Sequence, residues 1–235
     1  LFSDAACSAA ASSVPVAPGA AQASFWFRGT TAQVVTVTAG SGALGLSPAS
    51  QDEIVLSQGS ATQLVILTPP QIVTAGACSD QVTVQAQDSF GNAVSGAGAE
   101  QVTVSAPPGS GLSFFADAAC SVPAALVQIG AGQSTTGFWF RGTIASGPVW
   151  PAGVPVTAGS ATLTDAVQAE TVTPAAPSRL EFSSAPMSVA AGACSGLATV
   201  AVRDPLGNAS PPRAPLPLTP AAAPGTGGAF FAHAP

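Results

Sequence analysis

The sequence predicts an all-β protein built from tandem β-sandwich modules, and three observations carry that prediction. Apolar and polar residues alternate with a period of two over several stretches, as they do in half-buried strands. No stretch shows the apolar spacing of an amphipathic helix. The same motifs return at a spacing of 113 to 116 residues, the size of one immunoglobulin domain and far longer than a solenoid repeat.

The repeat comes first because it sets the frame for every other residue. SFWFRGT at 24–30 returns as GFWFRGT at 137–143, and FSDAACS at 2–8 returns as FADAACS at 115–121. AGACS at 75–79 returns at 191–195, and DSFGN at 88–92 returns as DPLGN at 204–208. A partial third copy, FFAHA, lies at 230–234. The spacing divides the chain into the back half of one module (1–58), a complete module (59–174) and the front half of a third (175–235). A half sandwich leaves an open core and bare edges. The expectation is therefore a chain that continues at both ends, or neighbouring molecules that supply the missing halves. Leu1 and Phe2 open in strand-like sequence without a signal peptide, which reads as a window of a longer exported protein.

Within 59–174 the strands follow from the alternation. Over 81–88, Val82, Val84 and Ala86 share one face, and Gln81, Thr83, Gln85 and Gln87 the other. Val102 and Val104 repeat the pattern. Val127 and Ile129, a Gly-rich turn, then Phe138 and Phe140 predict a hairpin with inward aromatics. Its equivalents in the first copy are Val14, Val16, Phe25 and Phe27. Val154 and Val156 mark a later strand, matching Val35 and Val37. In the third copy Pro215 and Pro217 flank Leu216 and Leu218; proline cannot donate to a ladder, so an edge strand is expected there.

Composition narrows the function. Apolar residues make up 47% and charged residues 7%, against about 25% charged in an ordinary soluble protein. The surface is therefore neutral and hydroxyl-rich. No apolar run reaches the length of about 18 residues that a membrane helix needs, so membrane insertion is not expected. The net charge of −6, with five Arg and no Lys, argues against nucleic acid, which needs clustered cations. Such thin charge also opposes lateral association of copies only weakly.

Each module owns one early and one late cysteine: Cys7 matches Cys120, and Cys194 matches Cys78. A Cys78–Cys120 disulfide is predicted, which implies an oxidising compartment. Cys7 and Cys194 are expected to pair outside this stretch or between chains. No CxxC spacing exists and His233 is the single histidine, so no metal site and no cofactor are expected.

The remaining candidates each have a bland alternative. Asp88 with Asn92, and Asp204 with Asn208, supply loop oxygens for Ca²⁺, but Asp-x-x-Gly-Asn is first a β-turn. Asp117 and His233 occupy matching phases, so a surface position suits them better than catalysis. No catalytic constellation is present, and the chain is not expected to be an enzyme. Trp26 and Arg28, like Trp139 and Arg141, lie opposite the core Phe pair. They are contact candidates for a sugar or a protein, or else each Arg simply covers its Trp. Trp150 rides in an insertion of about six residues near 147–153 and is a contact candidate between modules or molecules. Asn208-Ala-Ser210 fits a glycosylation sequon.

The order AGAC, alternating strand, D-x-x-G-N, FF-x-D-A-A-C-S and F-x-F-R-G-T resembles the bacterial immunoglobulin-like repeats of large secreted or cell-surface proteins, broadly the invasin and intimin stalk type. The resemblance covers essentially the whole chain. It implies an array of β-sandwiches that projects or spaces something outside the cell. The function expected is an extracellular or cell-surface stalk, fibre or self-assembling filament, with copies of itself as head-to-tail or lateral partners. The alternative is an adhesin that binds a glycan or surface receptor through Trp26, Trp139 and Trp150.

Overall fold

The computed structural model describes residues 1–42, 45–56, 59–96, 98–147, 150–222, 224–225 and 227–230. Gln58 at the first expected boundary, Pro148 beside Trp150, and His233 with most of the FFAHA copy lie outside them. The described chain is all-β, with no helix.

Two strands precede the complete sandwich. β1 (Gln33–Ala39) and β2 (Ala49–Val55) pair antiparallel. The sandwich is built from nine strands. β3 (Gln63–Ile66), β4 (Ile72–Thr74), β5 (Val82–Gln87) and β6 (Glu100–Ser105) come first. β7 (Leu112–Phe115), β8 (Leu126–Ile129), β9 (Thr135–Gly142), β10 (Val154–Gly159) and β11 (Ala166–Thr173) follow. One sheet has four strands in the order β3-β5-β9-β7, and the other has five in the order β4-β11-β10-β6-β8. β12 (Arg179–Phe182) and β13 (Val200–Arg203) then pair antiparallel in a separate ladder.

The period of two decides what fills the space between the sheets. Val82, Val84 and Ala86 of β5 point inward, as do Phe138 and Phe140 of β9. Val102 and Val104 of β6 and Val156 and Ala158 of β10 meet them from the other sheet. Phe114 adds an edge-on contact to Phe138, with ring centroids 5.7 Å apart. Removing each such Val or Phe from water contributes about 1.5–3 kcal/mol, so this small-residue core holds the module without large charged networks.

The chain changes sheets between β3 and β4 at Pro69 and Pro70, and the change exposes backbone polar groups that no ladder pairs. Two inward side chains of β11 serve them. Gln168 Nε2 donates to the Thr68 carbonyl at 2.7 Å, and Glu170 Oε2 accepts from the Gln71 amide at 2.6 Å. β4 then runs parallel to β11, with Ile72 opposite Thr171.

Three expectations differ from the structure. β8 does not form a hairpin with β9: it pairs with β6, Val127 opposite Val102, in the other sheet. Ile129 and Phe138 both face the core, and alternation alone cannot tell facing strands from neighbouring ones. In the first copy, Val14 and Val16 lie outside any strand, and 25–27 carries only an isolated bridge between Trp26 and Phe2. Phe27 is 40% exposed where its equivalent Phe140 is 0% exposed; near it stands the two-stranded β1–β2 ladder, with Val55 against Gly29. In the third copy, Pro215–Leu218 forms no strand; alternate prolines remove the donors an edge ladder would need.

Candidate functional site: the outer face of the long strand

β9 carries the most chemistry in the module, divided between its two faces. Phe138 and Phe140 go inward, and Trp139 and Arg141 go outward. Residues 76–79 lie along one side of β9: Gly76 N–H donates to the Gly142 carbonyl and Ser79 N–H to the Phe140 carbonyl. Ser79 Oγ accepts in return from Phe140 N–H at 2.8 Å. β7 lies along the other side and continues into the turn that carries Cys120.

Cys78 and Cys120 are joined by a disulfide with a Cα–Cα distance of 5.7 Å. Two strands that flank a third stand about 9.6 Å apart in a flat sheet. The turn at 116–121 therefore leaves the plane of its sheet and closes over β9, with Cys120 Sγ 3.6 Å from the Phe140 carbonyl oxygen. Cys120 takes a positive φ of 51°, a conformation uncommon for a residue with a side chain.

Asp117 holds that turn. Its carboxylate accepts from Val122 N–H at 2.7 Å, Ser121 N–H at 3.0 Å and the Ser121 hydroxyl at 2.8 Å. These donors, Val122 N–H foremost, keep its carboxyl below the usual range. The first copy repeats the arrangement. Asp4 accepts from the Ser8 hydroxyl and from the amides of Ser8 and Ala9, which lower its pKa likewise, the hydroxyl most strongly. Cys7 takes a φ of 48° and lies 3.9 Å from the Phe27 carbonyl oxygen. Cys7 and Cys194 are free thiols, Cys194 exposed. Cys7 thus already holds the bridging pose of Cys120.

The arginines do not cover the tryptophans. The Arg141 guanidinium lies over the Phe115 ring at 5.0 Å, and Arg28 over Phe2 at 5.2 Å. Ser113 is opposite Arg141 and Phe115 is opposite Trp139, so Arg141 reaches diagonally across the ladder to the flat ring. Phe115 is on the outer face and still only 4% exposed. Trp139 is half-buried, whereas Trp26 is 41% exposed. Trp150 is half-buried: its amide donates to Gly147 O and its carbonyl accepts from Gly153 N–H. The three tryptophans are thus separate features: two equivalent outer positions in different copies, and one loop before β10.

The D-x-x-G-N segments are turns saturated with N–H donors. Asp88 Oδ1 accepts from the amides of Phe90 and Asn92, each at 2.9 Å. Asp204 Oδ1 accepts from Leu206 and Asn208 amides, and its Oδ2 from the Ala175 amide and Asn208 Nδ2. Burial pushes the Asp204 carboxyl up, but those donors together outweigh it and the net direction is down. Lone pairs taken by N–H groups are not offered to a cation. Among the described residues no group of three or more His, Cys, Asp or Glu stands close enough to hold a metal ion.

The buried carboxylate of β11 was not anticipated from the sequence. Glu170 is fully buried, its Oε1 has no hydrogen-bond partner, and burial pushes its carboxyl up against the single Gln71 N–H bond. The signal was present: Gln168 and Glu170 fall on the inward register between Ala166 and Val172, where alternation requires apolar residues.

No family model matches this chain, and the search of curated proteins found no match. Among solved structures it is similar to domains 4 and 5 of the S-layer protein SbsC, at 16% identity over 53% of this chain and 58% of that one, with a TM-score of 0.34. It is similar to SbsC domains 4–9 at 14% identity over 77% of this chain and 25% of that one, TM-score 0.35. A glycosyl hydrolase family 2 member from Bacteroides cellulosilyticus is similar at 15% identity over 60% of this chain and 17% of that one, TM-score 0.38. The chain spans less than two thirds of the length of each.

Proposed function

We propose that this chain is part of an extracellular structural protein of the bacterial cell surface, in which immunoglobulin-like modules follow one another as a stalk, a fibre or a self-assembling filament. The observation that supports the reading is one constellation found in two places. An Asp-capped turn, a left-handed Cys and an Arg laid over a Phe ring occur at Asp4, Cys7 and Arg28 on Phe2, and again at Asp117, Cys120 and Arg141 on Phe115. A device that recurs once per module maintains the module, so function lies in number and geometry of modules, without a catalytic centre or cofactor.

Copies of the chain are the proposed partners, head-to-tail or lateral. Charged residues make up only 7% of the chain, so copies repel one another weakly and association is not opposed. A head-to-tail contact between copies is heterologous and does not close on itself, hence a fibre. Electron microscopy of the purified 235-residue chain tests this. Filaments are expected; isolated rods of fixed length remove the filament and leave the stalk, and round particles remove both.

Binding of a glycan or surface receptor is the competing reading. Trp26 is open, but Trp139 and Trp150 are half-buried and Arg141 is engaged over Phe115. A glycan array on which wild type binds and the Trp26→Ala chain does not would favour it.

A further inference from the structure

One motif makes the contact between successive modules, and it does so twice. Asn208 Oδ1 accepts from Ala145 N–H at 2.8 Å, and Asn208 Nδ2 donates to the Thr143 carbonyl at 3.0 Å. Thr143 and Ala145 follow β9 in the complete sandwich, and Asn208 belongs to the turn after β13. Earlier in the chain, Asn92 Oδ1 accepts from Ala32 N–H at 2.7 Å and Asn92 Nδ2 donates to the Thr30 carbonyl at 2.9 Å. Thr30 and Ala32 are the repeat equivalents of Thr143 and Ala145, and Asn92 is that of Asn208.

We propose that the D-x-x-G-N turn is a lock that fixes each module on the strand end of the module before it, its partner being the backbone that follows F-x-F-R-G-T. This rests on the array reading above and deepens it. A primary amide offers one acceptor and two donors. Here it takes one N–H and one C=O from the preceding module, as a neighbouring strand would. The residue between the two contacted positions is Thr31 in one joint and Ile144 in the other; a lock that reads backbone atoms is indifferent to that change.

The aspartate of the same turn ties the lock to the linker. Asp204 Oδ1 holds the turn, and its Oδ2 accepts from Ala175 N–H at 3.0 Å. Ser210 Oγ donates to the Ala175 carbonyl at 2.7 Å. Ala175 lies in the short segment between β11 and β12, with Pro174 before it and Pro177 after it, and each proline fixes its own φ. At the tip of the turn Leu206 faces Gly76 of the preceding module, where an added Cβ would stand 3.4 Å from Leu206 Cδ1. Turn, linker and preceding strand end are thereby one unit, and the array is a rod with a set twist at each joint, not beads on a string.

The test is amide exchange by NMR on the whole chain, with and without Asn92→Ala and Asn208→Ala. The amides of Ala32 and Ala145 are expected to exchange at least ~10-fold faster in the double variant, one hydrogen bond being worth about a factor of ten. Those of Val84 and Phe140 keep their protection. Unchanged exchange at Ala32 and Ala145 overturns the lock. If the Leu206 amide also loses protection, the turn itself has opened, and Ala145→Pro decides, because it removes the donor and leaves the Asp204 turn untouched. Loosened scattering dimensions in that variant support the lock, and unchanged dimensions overturn it. Small-angle scattering of the wild-type chain reports on the array separately: a compact particle with protected Ala32 and Ala145 amides sinks the array reading and keeps the lock.

Discussion

Removing the clasp over β9 gives the most quantitative test of what holds the module. The perturbation is Cys78→Ala with Cys120→Ala, made in a Cys7→Ser, Cys194→Ser background so that the free thiols cannot exchange into the bridge. The disulfide closes a loop of 42 residues. Loop-closure entropy for that length amounts to about 4 kcal/mol at room temperature. The clasp joins the 76–79 segment to the turn beyond β7 across a strand that both already flank, so the native contacts survive its loss and the cost falls mainly on the unfolded state. With a urea slope of about 2 kcal/mol/M, the midpoint falls by about 2 M. The assay is urea unfolding followed by far-ultraviolet circular dichroism, with the reduced parent as a second comparison. A midpoint within about 0.5 M of the oxidised parent would refute the reasoning and place the stability in the valine–phenylalanine core alone.

Two further predictions concern β11 and its neighbour. Glu170 has a raised pKa in the native state, so between its unfolded value near 4.5 and that raised value the native state binds more protons. Stability therefore falls as pH rises through that window, and the deficit persists above it. Glu170→Gln is expected to flatten the urea midpoint across that window, and a midpoint that still falls as steeply assigns the pH dependence elsewhere. Gly153 has a φ of 94°, and a Cβ there would stand 2.9 Å from the Glu170 carbonyl oxygen. Gly153→Ala is expected to cost about 1–3 kcal/mol, clearly more than Gly109→Ala, whose φ is 78° with nothing within 4 Å; equal losses would show that conformation, not the clash, sets the cost.

Several elements were legible because their cause is local. The period of two placed β5, β6 and β10 and named their inward residues, since a strand's neighbours i and i+2 share a face whatever lies opposite. The Asp-x-x-Gly-Asn turns could be read because Gly91 and Gly207 supply the positive φ the turn requires. The β8–β9 hairpin could not be read correctly, because a strand's pattern records burial but not which neighbour it bonds. The guanidinium over Phe115 was also hidden: it depends on a diagonal across a ladder whose register the sequence does not state. Glu170 was not read from the pattern, because its reason is spatial: the change of sheet at Pro69 and Pro70 leaves the Gln71 amide in need of a partner.

The sequence by itself determined the all-β class, the repeat near 115 residues, and which cysteines share a module, for these follow from composition, alternation and self-similarity along one dimension. Only the tertiary structure decided that the Cys120 turn folds over β9, that a buried carboxylate serves a strand crossing, and that Asn92 and Asn208 reach back to the preceding module. Those contacts join atoms 60 to 65 residues apart at each joint. Hydrogen bonding is satisfied in space, and the order of residues along the chain does not record which unpaired group will lie beside which.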